Sequence, residues 1–155
     1  MSASTSGLTR RTPLLGIALV FALGGVAAAQ AVSLAEAYSA PAKFTTQKAC
    51  WLGRVVGAEA AATGVGDKFE LQATHWMGLD EKQSPLDLFF FVDEKTAKWS
   101  DAATKAKGAE NPSQVFVICG VISGAKEVKL YLNSKTRAVT APILTNASVD
   151  LPKAR

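Results

Sequence analysis

The stretch QVFVICGVISG, Gln114–Gly124, decides the fold that this sequence predicts. It is an almost unbroken apolar run between the loop-forming AENPS and a glycine, which is typical of a buried strand. A cysteine, Cys119, stands in the middle of the run. The chain has one other cysteine, Cys50, in a second strand-like run, ACWLGRVVGAEA. The reason for a thiol in a buried strand bears on both the compartment and the architecture of the protein.

The beginning of the chain has the pattern of a secretory leader of bacterial type. A polar start ends in Arg10 and Arg11, and the uncharged apolar run PLLGIALVFALGGVAAA follows it. The run ends in AAAQAV, which offers Ala-x-Ala cleavage sites after Ala29 and after Ala31. We therefore expect residues 1–31 to be a signal peptide that is removed, and the protein to be periplasmic or secreted. The alternative is an uncleaved membrane anchor, which would be the only contact with a membrane.

The charge of the chain argues against a nucleic-acid partner. Loss of Arg10 and Arg11 with the leader lowers the formal net charge from +4 to +2. Binding driven by counterion release needs a concentrated basic surface, whereas the lysines of the remaining chain are interspersed with acidic residues. We expect a protein, peptide or glycan partner, and an extracytoplasmic nucleic-acid binder is the less favoured alternative.

Export also predicts the state of the two cysteines. In an oxidising compartment two cysteines tend to pair, so we expect a disulfide between Cys50 and Cys119. The alternative is two buried thiols that act as small apolar residues. Pairing requires Cα atoms about 4.4–6.8 Å apart, and the two strands that carry the cysteines should then be neighbours.

The rest of the chain divides into short elements. Ser33 and Glu36 have the spacing of a capping box, so the N-terminal segment 32–47 is predicted to contain a short helix or to be a flexible lead. Alternating and apolar runs predict two further strands and a closing hairpin around GAK, and a period change predicts a helix. In chain order these are FELQATHWM, LDLFFFVD, a helix over Asp93–Gly108, and the hairpin QVFVICGVIS–EVKLYLN.

Three strands, a helix and two strands thus follow one another between Trp51 and Asn133, and this layout resembles the OB-fold. The resemblance lies in the order of elements and in the VFVICGVIS…KLYLN hairpin, and it indicates no subfamily. It implies a mainly β, five-stranded Greek-key barrel over residues 48–140, with one helix between strands 3 and 4. Residues 141–155 would be a tail. It also implies that the first and fourth strands, which carry the cysteines, are adjacent and antiparallel.

Three aromatic residues are the candidate ligand-binding side chains: Trp76, Phe89 and Phe91. If the inward faces of the second and third strands are those of Leu71 and Phe90, these three point outward. OB-folds commonly bind ligands on this face, and exposed aromatic rings anchor partners. The alternatives are that residues 32–47 or the tail cover the three rings, or that the two faces are assigned wrongly.

The pattern predicts no enzyme, cofactor or metal. We find no nucleophile–base arrangement, phosphate loop or metal-ligand spacing in the sequence. His75 and Met77 share a strand face and could offer nitrogen and sulfur to a soft metal, but a lone strand histidine is more often packed. We therefore expect an exported, non-catalytic binding or adaptor module. The alternatives are the nucleic-acid binder and a small secreted enzyme whose site the sequence does not reveal.

Overall fold

The computed structural model describes residues Ala31–Ala154. The predicted signal peptide lies outside these residues except for Ala31. The described part contains two α-helices, a 3₁₀-helix at Pro41–Phe44 and six strands. The α-helices and strands are α1 Leu34–Ser39, β1 Lys48–Ala62, β2 Phe69–Leu79, β3 Pro85–Asp93, β4 Lys98–Trp99, α2 Asp101–Gly108, β5 Phe116–Leu132 and β6 Lys135–Asp150. None of the helices between Ala31 and Ala154 has the length and apolar character needed to cross a membrane.

Five of the strands close a small barrel. They are hydrogen-bonded in the order β3-β2-β1-β5-β6, and β6 returns to pair with β3 in parallel at Ile143 and Leu144. The short β4 pairs with the C-terminal end of β6 at Ser148 and Val149. In the chain, α2 follows β4 and precedes β5. The prediction of a mainly β, five-stranded barrel with a helix before the cysteine-bearing strand is confirmed, and the closed barrel is consistent with an OB-like layout.

The end of the barrel differs from the prediction. The hairpin expected around GAK does not form, because β5 continues through Gly124 and bends there at a register shift, with the glycine at φ 122°. The chain turns instead at Asn133 and Ser134, whose φ values of 50° and 63° suit a two-residue hairpin loop. Residues 141–155 are therefore not a tail: they contain the second half of β6, and the barrel extends beyond residue 140 to Asp150.

The two helices begin at side-chain caps. In α1, the Ser33 hydroxyl accepts from the backbone of Glu36 and the Glu36 carboxylate accepts from Ser33, so the predicted capping box is present. In α2, the Ser100 hydroxyl accepts from the Ala103 N–H at 3.0 Å, and the helix ends at Gly108 as predicted. The predicted start at Asp93 is wrong, because the Asp93 carboxylate accepts from the Lys95 N–H at 3.1 Å and closes a separate turn.

Large side chains from all around the barrel fill its interior. We call this cluster the barrel core, and its largest members are Trp51, Trp76, Phe90, Phe116, Ile118, Ile122, Leu144 and Val149. The α1 segment packs onto it: the Trp51 indole N–H donates to the Val32 carbonyl at 2.8 Å, and Leu34 lies against Gly78. A side chain at Gly78 would collide with Leu34. The segment 32–47 is thus part of the folded domain.

A second apolar cluster lies on the outer face of β3. The far half of the β5–β6 hairpin, beyond the bend at Gly124, packs against this face. We call the cluster the second core, and its buried members are Phe89, Phe91, Val128, Leu130, Val139 and Ala141. Because β3 is buried on both faces, one strand supplies side chains to both clusters.

Candidate functional site

The two cysteines form the predicted disulfide. Cys50 on β1 and Cys119 on β5 are directly opposite each other in the antiparallel pairing and are bonded. Cys50 is exposed and Cys119 is half-buried, so the thiol is not in the barrel core as the run around Cys119 predicts. The disulfide joins the two strands on the outer surface of the barrel. Such a bond indicates an oxidising environment.

The predicted exposed aromatic face is wrong. Trp76, Phe89 and Phe91 are 0%, 1% and 1% exposed. Trp76 lies directly opposite Phe90 in the β2–β3 pairing, and opposite residues of neighbouring strands share a face. Trp76 therefore stacks on Phe90 in the barrel core, with ring centroids 6.0 Å apart. Its indole N–H donates to the Thr74 hydroxyl at 2.7 Å.

Phe89 and Phe91 do point out of the barrel, but the second core covers them. Val139 and Ala141, both on β6, belong to this cover, and Ile143 packs against it. Tyr38 of α1 also contacts the cluster. The structure therefore shows these two rings buried by the segment 32–47 and by residues near the C-terminus, which is one of the alternatives that the sequence left open.

His75 lies on the same outer face and is packed. It is 6% exposed, and its ring meets Phe91 edge-on with centroids 5.1 Å apart. Its Nε2 atom has no hydrogen-bond partner among the described residues and lies 3.9 Å from the Glu59 carboxylate. That carboxylate accepts from the Lys126 ammonium at 2.6 Å. Burial lowers the pKa of His75, and the negative charge of Glu59 opposes this shift only in part.

The structure assembles no metal centre from these groups. Between Ala31 and Ala154, no three His, Cys, Asp or Glu side chains come close enough together to hold an ion. Met77 lies two residues after His75 on the same strand face, but it packs into the second core. The neighbouring Lys126 ammonium already occupies the Glu59 carboxylate.

A cavity of about 440 Å³ opens at the end of the barrel beside α2. Its apolar lining residues are Val55, Ala106, Pro112 and Phe116. The Phe116 ring meets Trp76 of the barrel core and Trp99, which packs against that core. The rim is polar: Lys107, Glu110, Asn111 and Gln114. The Lys107 ammonium lies 4.3 Å from the centre of the Trp99 ring and covers that ring.

A larger, more polar cavity of about 780 Å³ lies beside the first. The two share Asn111 and Gln114, and the second runs past Leu52 to the loop 81–83 and the terminal residues 151–154. We call the two together the end groove. The sequence pattern did not reveal it, because its walls come from β1, α2, β5, two loops and the terminal residues, which are far apart in the chain.

The end groove offers hydrogen-bonding groups and charges. The Asn111 side-chain oxygen accepts from the Ser113 N–H at 3.1 Å, and the Gln114 side-chain amide donates to the Val115 carbonyl at 2.8 Å. These two bonds use neither the Asn111 amide hydrogens nor the Gln114 side-chain oxygen, so these atoms are available to a ligand. The charged lining residues are Lys82, Lys107, Lys153, Glu81 and Glu110. An apolar pocket joined to a polar channel suits binding of a side chain together with its backbone.

Comparison of the chain with protein-family models and with curated proteins finds no match. A function can therefore be inferred from the geometry of the described residues. Within it, the end groove is where an apolar wall and several unpaired polar groups converge on one open space, which is the usual form of a binding site.

Proposed function

We propose that the protein is an exported, non-catalytic binding or adaptor module that recognises a partner in the end groove. The observation that carries the proposal is that an apolar cavity and a polar channel lie side by side and share Asn111 and Gln114 as lining residues. A peptide segment of a partner protein fits this arrangement. One apolar side chain would enter the cavity formed by Val55, Ala106 and Phe116, and the backbone would meet the polar groups of the channel.

The burial of the aromatic residues favours a peptide over a glycan. Glycan and base recognition use exposed ring faces as stacking platforms, whereas Trp76, Phe89 and Phe91 are buried. Phe116, whose ring lines the cavity, is 3% exposed, and Lys107 covers the neighbouring Trp99 ring. A flexible apolar side chain needs no such platform, because it gains by leaving water.

The proposal that the protein is exported, to the periplasm or outside the cell, rests on two independent features. One is the leader pattern of residues 1–31, and the other is the Cys50–Cys119 disulfide, which needs an oxidising environment. Mass spectrometry of the protein isolated from its natural source should find an N-terminus at Gln30 or Val32. An intact Met1 terminus in the membrane fraction would show that the leader is an anchor.

Two alanines of α2 allow a matched test of the binding site. Ala106 lines the apolar cavity, whereas Ala102, one turn earlier, is exposed and outside it. Ala106→Trp should fill the cavity. It should lower the affinity for a partner captured from the extracytoplasmic fraction at least tenfold, which corresponds to about 1.4 kcal/mol. Ala102→Trp should retain the partner. Equal retention by the two variants would place the contact elsewhere on the molecule.

The alternative of a nucleic-acid binder makes a different prediction for the same protein. Its affinity for an oligonucleotide should fall steeply between about 50 and 200 mM salt, because phosphate contacts release counterions. The mixed charge of the end groove, with Glu81 and Glu110 beside the lysines, favours weak binding and a shallow dependence. The alternative of a secreted enzyme stays a prediction of its own. A His75→Ala variant that keeps full activity in a cellular assay would count against it.

A further inference from the structure

A third cavity, of about 600 Å³, lies between the tip of the β5–β6 hairpin and the start of β3. Met77, Phe89 and Leu132 form its apolar wall, and the charged groups at its mouth are Asp87, Lys135 and Arg137. It shares no lining residue with the end groove. The proposed peptide site and this cavity are thus separate features.

The apolar wall is continuous with the second core. Phe89 is 1% exposed, and Met77 and Leu132 are half-buried against the same cluster. The hairpin tip holds the wall in place, because Leu132 pairs with Lys135 across the two-residue turn at Asn133 and Ser134. The unbranched Met77 side chain adapts readily to the shape of an apolar guest. A volume of this size accommodates a single alkyl chain and lies in the range of small-molecule sites.

The mouth of the cavity carries more positive than negative charge. The Arg137 guanidinium lies 3.4 Å from the Asp87 carboxylate, and the two side chains are 53% and 79% exposed. An ion pair this exposed is weak, so another carboxylate can replace Asp87 at little cost. Lys135 adds a second cation at the same mouth. An incoming anion would therefore meet two cations and one displaceable acid.

We propose that this cavity binds a single-chain amphiphile with an anionic head group. The alkyl chain would lie along Met77, Phe89 and Leu132, and the head group would pair with Arg137 and Lys135. A guanidinium can bind a carboxylate through two parallel hydrogen bonds, which the 3.4 Å single contact with Asp87 does not provide. The charge of the mouth selects an anionic over a cationic head, and the apolar wall selects a long chain over a short one.

Calorimetric titration of the full chain with three compounds tests both selections. The probes are laurate, dodecyltrimethylammonium of the same chain length, and hexanoate with the same head group, each below its micelle concentration. Laurate should bind at least tenfold more tightly than either of the others. Each methylene buried should contribute roughly a fourfold gain, so hexanoate should fall below detection. Equal binding of laurate and dodecyltrimethylammonium, or no binding of laurate, would overturn the proposal.

Variants with opposite expected effects locate the site. Arg137→Gln should lower the affinity for laurate about fivefold to tenfold. Asp87→Asn should raise that affinity, because Asp87 competes with laurate for the same guanidinium. Lys129→Gln is the matched control, since Lys129 is an exposed cation of the same hairpin outside the cavity. The affinity of the Lys129→Gln variant for laurate should be unchanged. Weakening by Lys129→Gln as large as that by Arg137→Gln would reduce the effect to general charge and refute the site.

Two further variants separate this cavity from other apolar surfaces. Leu132→Trp should fill the cavity and reduce its affinity for laurate at least tenfold. Thermal melting checks that this variant keeps its fold. Ala106→Trp, in the end groove, should leave laurate binding unchanged. If Ala106→Trp abolished binding and Leu132→Trp did not, the amphiphile would bind in the end groove and the present assignment would be wrong. Failure of laurate binding leaves the peptide proposal intact, because the two sites have separate walls.

Discussion

The barrel core and the second core lie on opposite faces of β3, and they are built in different ways. The barrel core draws side chains from α1, α2 and the five long strands, so its contacts join parts of the chain that are distant in sequence. The buried residues of the second core come from β3 and from one hairpin. The difference shows that a single hairpin determines whether Phe89 and Phe91 are buried or available to a partner.

The β1–β2 hairpin shows what happens to a long hairpin without such a partner face. Its far end carries Val65 and Phe69, which are 68% and 70% exposed. The β5–β6 hairpin is of similar construction, but bends at Gly124 and packs on β3. The ion pairs Lys126–Glu59 and Arg137–Asp87 join this hairpin to β1 and β3. Both hairpins contain register shifts, and the covering hairpin differs in the apolar residues Val128, Leu130 and Val139 that it packs against β3.

The largest expected effect comes from the barrel core. Trp76→Ala removes a fully buried indole that stacks on Phe90 and meets Phe116 edge-on. The free energy of unfolding should fall by about 4 to 5 kcal/mol, measured by denaturant titration. A loss below about 1 kcal/mol, the value typical of an exposed side chain, would mean that Trp76 is not in the core and would reopen the binding-face hypothesis.

The disulfide on the barrel surface should contribute slightly less. Cys50 and Cys119 are 69 residues apart in sequence, and the double change to alanine should cost about 3 to 4 kcal/mol, chiefly by freeing the unfolded chain. The fold should survive at room temperature because the sulfur atoms fill no part of the barrel core. Labelling under denaturing, non-reducing conditions should find no free thiol. Two labelled thiols in natural material would contradict the bond.

The second core is tested by two neighbours on β5. Leu130 is 4% exposed and packs against β3, whereas Tyr131 is 73% exposed on the opposite side of the strand. Leu130→Ala should lower the free energy of unfolding by about 2 to 3 kcal/mol, and Tyr131→Ala by less than about 0.5 kcal/mol. If the two losses were equal, the hairpin would not be packed on β3 in solution.

The hydrophobic pattern was sufficient to predict most strands, and the resemblance of their order to the OB-fold predicted the barrel, but neither predicted how β5 and β6 complete it. Alternation and turn residues located β1, β2 and β3, and the two cysteines correctly predicted that β1 and β5 are neighbours. The GAK stretch predicts a turn because glycine is frequent in turns, whereas here the positive φ of Gly124 permits a bend within one strand. The true turn, Asn133–Ser134, has weaker turn chemistry than Asn-Gly.

The candidate site depended on information that local patterns lack. Alternation assigns inner and outer faces only where one face is polar, and β3 is apolar on both. The relation between Trp76 and Phe90 follows from the strand register, which local pattern did not reveal. The walls of the end groove, around Asn111 and residues 151–154, meet only after the barrel has closed.

The smallest expected effect is a pH dependence that originates at the edge of the second core. Burial lowers the pKa of His75 in the folded protein, with Glu59 opposing and Lys126 adding to the shift. The ordinary pKa of histidine is about 6.5, so the unfolded chain takes up the proton first as the pH falls. The unfolded state then binds more protons than the folded state, and the free energy of unfolding must decrease.

We therefore expect stability to decline as the pH is lowered from about 7.5 through 6.5, and to go on declining until the folded-state pKa of His75 is reached. The slope for one proton is at most about 1.4 kcal/mol per pH unit. His75→Gln should remove this decline, which denaturant titrations at pH 7.5, 6.5 and 5.5 would detect. Glu36 and Asp150 also have lowered pKa values, but their ordinary values of 4.5 and 3.8 place their effect at lower pH. An equal decline in the His75→Gln variant would assign the decline to another group. No decline in the natural chain would mean that the pKa of His75 is not lowered in the folded protein.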